Sequence, residues 1–205
     1  MNEAIQRINV IGTTGSGKST VSNQIAEKLN LPYIELEALC WQSNWTELTD
    51  EKFFSKVEKA LSTDSWVLDG TYPRTRHIKW NRVQIVIYLD LPFHIVFYRV
   101  LRRTFKYIFQ GQVLWAGNKE TFWRAFFTAD SIILWTLKTF SRNRKDFLII
   151  SQSSEYSHIN FVRLCSRREV ENFIKNLNKA SSIKALPKGG LTNNFPLVKD
   201  QVKFH

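Results

Sequence analysis

Three groups of residues in this chain have the types and spacings that phosphate chemistry needs. They are a glycine-rich run closed by a lysine and a serine, acids placed just after apolar runs, and arginines three or four residues apart. The first is Gly12-Thr13-Thr14-Gly15-Ser16-Gly17-Lys18-Ser19-Thr20, which fits G-x-x-x-x-G-K-S/T. Its glycines let the backbone curl until successive N–H groups face the β-phosphate oxygens of ATP or GTP, where a side chain would block the approach. Lys18 is expected to span the β- and γ-phosphates as a point charge, and the Ser19 hydroxyl to ligate Mg²⁺. The flanks agree with this. Arg7 to Ile11 reads as a short buried strand, and Thr20 to Leu29 as a helix with Val21, Ile25, Ala26 and Leu29 on one face. A strand, a loop and a helix N-terminus in that order make an anion site.

The acids fall where strands should end. Asp69 follows the apolar Ser65-Trp-Val-Leu68 and precedes Gly70, so it can hold Mg²⁺ through its waters or merely start an Asp-Gly turn. Glu35 and Glu37 close the next candidate strand. Glu37 can orient an acceptor hydroxyl or take its proton, or be a solvated loop acid. Asp90, ahead of Leu91-Pro92, reads as fixing a turn rather than touching metal. Arg99 shares a helix face with both Arg102 and Arg103. Facing the nucleotide, the three would neutralise a migrating phosphoryl group; facing water, they are an ordinary charged face. Arg142 and Arg144 carry a weaker version of the same expectation. Cys40 and Cys165 have no metal spacing and read as reduced thiols of a cytoplasmic protein.

The elements that position these residues can be read in order. Leu31 to Leu36 is a second strand, and Glu37 to Trp45 a polar connection. Asp50 to Leu61 is a helix with Phe53, Phe54, Val57 and Leu61 inward. Val83 to Leu89 is nearly all apolar, as a parallel central strand is. A basic-aromatic helix runs from Phe93 to about Phe109, followed by the expected mobile loop, Gln110 to Asn118. Asn118 is placed to cap a long apolar helix, Lys119 to about Ser141. Asp146 to Ser151 suits strand or helix by pattern alone. Phe161 to Cys165 is a last strand, and Ser166-Arg-Arg-Glu169 a capping box that opens the helix Val170 to Leu177. Alternation of strand and helix predicts a parallel, three-layer α/β sheet, with ligands beyond the carboxyl ends of its strands.

Composition bounds the rest. Of 205 residues 43% are hydrophobic, enough for a core, and the formal charge is +11. Five lysines and one aspartate lie in 179–205, a basic stretch without period that is expected to be a disordered tail. A body that remains strongly basic suits polyphosphates, nucleic acid or an anionic surface. The apolar stretches Val83 to Leu101 and Phe126 to Phe140 are broken by charges and fall short of the ~20 clean apolar residues a membrane span needs. No membrane partner is expected.

Gly12 to Thr20, Trp66-Val-Leu-Asp-Gly-Thr-Tyr72, Tyr88-Leu-Asp-Leu-Pro92, Arg99-Val-Leu-Arg-Arg103 and Arg163-Leu-Cys-Ser-Arg-Arg-Glu169 occur in an order that resembles the bacterial P-loop proteins known as DNA topology modulation or adenylate-kinase-like proteins. The resemblance covers about residues 5–178. It implies the nucleoside monophosphate kinase group: an α/β, three-layer P-loop NTPase fold with a five-stranded parallel sheet, an acceptor-binding region, and an arginine-bearing helical lid insertion at about 100–145. It also favours a helix over Lys145 to Ser153. Leu68-Asp-Gly-Thr-Tyr-Pro-Arg74 is similar to the L-D-G-F-P-R of adenylate kinases but one residue longer. The family has Asp where this chain has Glu37, and Asn where it has Thr71. The resemblance implies an ATP- and Mg²⁺-dependent kinase in residues 1–178. Lys18, Asp69, Arg99 and Arg103 would be catalytic, and Glu37, Arg74 and Arg102 would bind a small phosphate acceptor. The alternatives are a nucleic-acid-associated ATP-binding protein and a regulatory nucleotide-binding module.

Overall fold

The computed structural model describes residues 5–128 and 131–177. Five strands form one wholly parallel sheet in the order β2 (Tyr33–Glu35), β3 (Trp66–Asp69), β1 (Arg7–Gly12), β4 (Ile85–Leu89), β5 (Asn160–Leu164). The glycine-rich run leaves the central strand, and its neighbours β3 and β4 end beside it with Asp69 level with Val10 and Leu89 with Gly12. Strand alternation sorts the apolar side chains into two cores. Ile8, Val10, Ile85, Ile87 and Leu89 pack on one face against α1 (Lys18–Leu29) and α8 (Arg167–Asn176). Ile11, Trp66, Leu68, Val86 and Tyr88 pack on the other against α3 (Asp50–Ala60) and Phe147 of α7 (Ile132–Ile150). Each fully buried aliphatic or aromatic side chain contributes roughly 1.5–3 kcal/mol by leaving water, which outweighs the weak intrinsic preferences of these short strands.

The sequence-based element boundaries hold with four corrections. Leu36–Cys40, expected as the end of the second strand and the start of a polar connection, is a short helix, α2, because Leu36 and Cys40 both bury on one side of it. α4 (Arg76–Lys79) adds one turn within Arg74 to Arg82, the short basic segment that follows β3. The single helix expected from Lys119 to Ser141 is two, α6 (Phe122–Phe127) and α7. Two caps account for the break. Thr121 accepts from the Arg124 N–H at 3.4 Å, and Ser131 accepts from the Leu134 N–H at 3.3 Å while donating to the Ala125 carbonyl. The residues after Ser141, open to strand or helix by pattern, continue α7 as a helix, as the family resemblance favours. Finally, Asn118 caps no helix; it is buried in a different contact described below.

α5 (Phe93–Gln110) carries the chain from the end of β4 over the glycine-rich loop and out to the segment 111–128. The capping box at Ser166 is present: its hydroxyl accepts from the Glu169 N–H at 3.2 Å, and Glu169 accepts from the Cys165 N–H at 2.9 Å. The segment 179–205, expected to be a disordered tail, lies outside the described residues.

Candidate active site

The glycine-rich loop has the form its sequence requires. Gly15 (φ 81°) and Gly17 (φ 97°) occupy the left-handed region, and a Cβ on Gly15 would lie 2.8 Å from the Val96 carbonyl. Gly17 is the N-cap of α1 and supplies no side-chain cap, and the first turn contains no acid. The leading N–H groups of a twelve-residue helix thus face the loop without an internal anion. The Ser16 hydroxyl is buried and has no hydrogen-bond partner. Lys18 folds over the loop, with Nζ 3.4 Å from the Thr13 carbonyl. These features fit a polyphosphate, which Gly12 to Thr20 would hold.

Thr71 braces the loop from β3. Its hydroxyl donates to the Gly12 carbonyl at 2.9 Å and accepts from the Gly12 N–H at 3.1 Å, so it satisfies both polar groups of the residue where strand becomes loop.

A cluster of three carboxylates faces Lys18. One ligand oxygen from each of Glu35, Glu37 and Asp69 lies within 4.8 Å of the others. Glu35 ends β2 and Asp69 ends β3, directly opposite it in the ladder; Glu37 is one step into α2. Asp69 is 1% exposed. Its Oδ2 accepts from the Tyr33 hydroxyl at 3.1 Å, while Asp69 Oδ1 and Glu37 Oε2 are buried without partners. Ser19 hydrogen-bonds the same Tyr33 hydroxyl, which brings it to the edge of the cluster. Burial pushes the Glu37 carboxyl up from 4.5 to about 7; Lys18 pulls it down and Asp69 pushes it further up. Glu35 is also raised, first by burial, with the Trp115 indole and Lys18 opposing and Asp69 adding. A set of hard oxygen donors with orphaned lone pairs suits Mg²⁺, which Ser19, Asp69 and Glu35 would hold. Strand-end position marked Glu35 as a candidate; its standing as a ligand needed the cross-strand pairing with Asp69.

The arginines separate. Arg99 lies over the loop, NH1 3.3 Å from the Ser16 carbonyl. Arg103, one turn further, is half-buried, stacks 5.8 Å over Tyr107 and faces Glu120. Arg102 is exposed on the outer side of α5. Arg74 does not stand free at the acceptor side. It pairs with Glu47 at 2.5 Å and Asp50 at 3.2 Å, lies 3.3 Å from the Cys40 sulfur, and stacks 5.0 Å over Phe53. Asp90 fixes structure, as expected: it pairs with Arg163 and, at 3.1 Å, with Arg144, binding α7 to the end of β4.

Two residues that the sequence did not mark organise the site. Lys79 is 1% exposed and its ammonium is bonded to the Thr71 carbonyl, with the Gly70 and Tyr72 carbonyls at 3.4 Å. It thereby fixes the loop that carries Thr71. Burial pushes its amine down from 10.5 to about 7; Arg76 adds to this and Glu37 opposes it. With the folded value below the unfolded one, protonated Lys79 opposes folding fully below pH 7, and the penalty fades as pH rises towards 10.5. Lys79→Met, which strips three carbonyls of their donor, is expected to lose about 1–3 kcal/mol of stability. The gap to wild type should widen from pH 7 to pH 9.5 in urea melts, by roughly 1 kcal/mol or more. A gap independent of pH would show that Lys79 titrates normally.

Asn118 is the second. It accepts from the Trp45 N–H at 2.8 Å and donates to the Gln42 and Trp115 carbonyls, each at 2.8 Å. Ser43 donates to the Ala116 carbonyl at 3.2 Å, the Trp45 indole donates to the Lys119 carbonyl at 3.1 Å, and Arg124 stacks 4.7 Å over the Trp45 ring. Gln110 to Asn118, expected as a mobile loop, is thus latched onto the segment after α2, and this places Trp115 on Glu35. Asn118→Ala is expected to leave the sheet intact and loosen the latch. Hydrogen exchange at the Trp45 amide should rise at least ~10-fold while strand amides stay protected; unchanged exchange at Trp45 would rule the latch out.

A family model described as an AAA domain matches residues 8–107. Among solved structures, a shikimate kinase from Acinetobacter baumannii in complex with shikimate is similar at 17% identity and TM-score 0.50, covering 82% of this chain and 88% of that one. The fold is the P-loop kinase fold. A gluconokinase from Sinorhizobium meliloti 1021 is 18% identical over 89% of this chain and 90% of its own, with TM-score 0.47. No curated protein matches the sequence. The residues matched by the family model include the glycine-rich loop, the carboxylate cluster and Arg99; none of these matches bears on DNA topology. Among the described residues no helix is long and apolar enough to cross a membrane.

Proposed function

We propose that this chain is an ATP- and Mg²⁺-dependent phosphotransferase whose acceptor is a small hydroxylated molecule without a phosphate of its own. The observation that carries this reading is the carboxylate cluster with two orphaned oxygens beside Lys18. Bound MgATP supplies the transferable phosphoryl group, and the protein's part is placement and charge. Lys18 and Arg99 bring positive charge to the two sides of the loop. Ser19, Asp69 and Glu35 offer oxygens to the cation. Glu37, raised to about 7, is matched to accept a hydroxyl proton near neutrality. Arg103, one turn beyond Arg99 on α5, is placed to follow it over the nucleotide.

The acceptor class follows from Arg74 and Arg102. Arg74 is neutralised by Glu47 and Asp50, so a phosphate-bearing acceptor would have to displace two carboxylates. Arg102 is on the far side of α5. Polyols and hydroxy acids are therefore expected to stimulate ATP consumption, and nucleoside monophosphates are not. Stimulation by a nucleoside monophosphate alone would overturn the acceptor class and restore Arg74 as its phosphate ligand.

A nucleic-acid-associated ATPase is the second reading, favoured by the exposed Arg102 and Lys106. Duplex DNA in the same screen tests it: stimulated turnover that falls steeply with salt would support it. A cytoplasmic location fits ATP as the substrate and the free thiols of Cys40 and Cys165.

A further inference from the structure

The outer side of the lid carries a feature that phosphoryl transfer does not use. Six aromatic rings from α5 and α6 form an unbroken series of contacts. Phe109 stacks on Phe105 at 6.2 Å, Phe105 meets Phe126 at 5.6 Å, and Phe126 meets Phe122 at 4.8 Å. Phe122 in turn meets Phe127 at 5.9 Å, and Phe127 meets Trp123 at 4.8 Å. Five of the six are exposed, Phe109 by 83% and Trp123 by 71%. A continuous apolar patch of this kind is uncommon on a monomer and marks an interaction surface.

Its chemistry is set by the charges among the rings. Arg102, Phe105, Lys106 and Phe109 follow a three-four spacing along α5 and are all exposed, so basic and aromatic side chains alternate on one face. Lys119 is exposed just before α6. Across residues 98–145 the sequence holds ten Lys or Arg against two acids. Aromatic rings that sink into the headgroup boundary, ringed by lysine and arginine, are what an anionic bilayer surface takes from a peripheral protein. We propose that the outer face of α5 and α6 docks on an anionic lipid surface. A second copy of the chain is disfavoured because two such faces would bring like charges together. Single-stranded nucleic acid, which also takes basic and aromatic groups, is the outcome that the oligonucleotide arm of the test separates.

Arg99 meets the loop, whereas Phe105 and Phe109 lie further along α5 and Trp123 on α6, so the docking face and the site can be tested with separate residues. The full-length protein is sedimented with vesicles of phosphatidylcholine alone and of phosphatidylcholine mixed with phosphatidylglycerol. Binding is expected to the anionic vesicles and to be at least ~10-fold weaker for Phe109→Ser/Trp123→Ser, with ATP turnover unchanged. Arg102→Gln and Lys106→Gln should each weaken it roughly fivefold. Brominated acyl chains should quench tryptophan fluorescence in the wild type and less so in Trp123→Phe. Three results would overturn the proposal: no vesicle binding by the wild type; equal binding by the double variant, which would assign it to the lysine-rich 179–205 segment; or loss in that variant of oligonucleotide binding or of dimerisation, without vesicle binding.

Discussion

Lys18→Ala is expected to lower ATP turnover by roughly 10³-fold while the thermal midpoint moves by no more than about 2 °C. Both halves follow from the same geometry. Lys18 is half-exposed and makes a single 3.4 Å contact to the Thr13 carbonyl, so the fold draws little from it. The loop itself is held by Thr71 on Gly12 and by the left-handed glycines, none of which touches the lysine side chain. What the substitution removes is the mobile cation that faces both the loop and the carboxylate cluster. Lys18 also pulls Glu37 down against burial, so the variant's residual activity should need a higher pH to ionise that carboxyl. Turnover by initial rates across pH 6 to 9 and a thermal melt check the two halves together. A variant that turns over normally would remove the phosphate assignment for Gly12 to Thr20.

The degree to which this was legible in the sequence follows the range of the interactions involved. The loop, its strand and its helix are local, and three glycines with Lys18 and Ser19 allow few other structures. The central strands were legible because Val86 to Leu89 must be buried on both faces. The site acids were legible as positions, since strand ends in a parallel sheet are where ligands bind. What escaped depends on contacts between residues far apart in the chain. Asn118 looks like a helix cap by its neighbours, but its partners Gln42 and Trp45 are 76 and 73 residues away. Lys79 reads as one more residue of a basic segment; that it is buried under the Gly70 to Tyr72 carbonyls depends on how α4 folds back. The break between α6 and α7 is marked by Ser131, a cap whose significance is hidden within an otherwise apolar run. Arg74 sits in the expected motif, yet Glu47 and Asp50, on another segment, decide whether its charge is available.

These long-range contacts also explain why α5 has a packed stripe and an exposed one. α5 must cross the loop closely, because Val96 and Val100 pack against Gly15; Arg99, at the edge of that packed stripe, reaches the Ser16 carbonyl, while Arg102, away from the buried Val96, Val100 and Thr104, is exposed. The same helix therefore serves the site with one stripe and solvent with the other. Residues 110–150 are tethered through Asn118 and Arg144 rather than through the outer rings, so changes to Phe109 or Trp123 should leave the latch in place.

Glu37→Gln should separate stability from activity in opposite directions. The folded carboxyl titrates near 7 against an ordinary value of 4.5, so its ionised form opposes folding. That penalty is absent below pH 4.5, grows as pH rises to 7 and is full above it. Glutamine keeps the shape without the charge. The variant should therefore be more stable than wild type at pH 8 by about 2 kcal/mol and equal to it near pH 4.5, when divalent cations are absent. Adding Mg²⁺ should narrow the difference, because the ion stabilises the carboxylate cluster that the variant has weakened. Turnover should fall by ~10²–10⁴-fold, the range a lost general base commands. Thermal melts at the two pH values, with and without Mg²⁺, and single-turnover assays measure these effects. Equal stability at pH 8 would show that the buried Glu37 oxygen is compensated in the native state; unaltered turnover would show that another group takes the acceptor's proton.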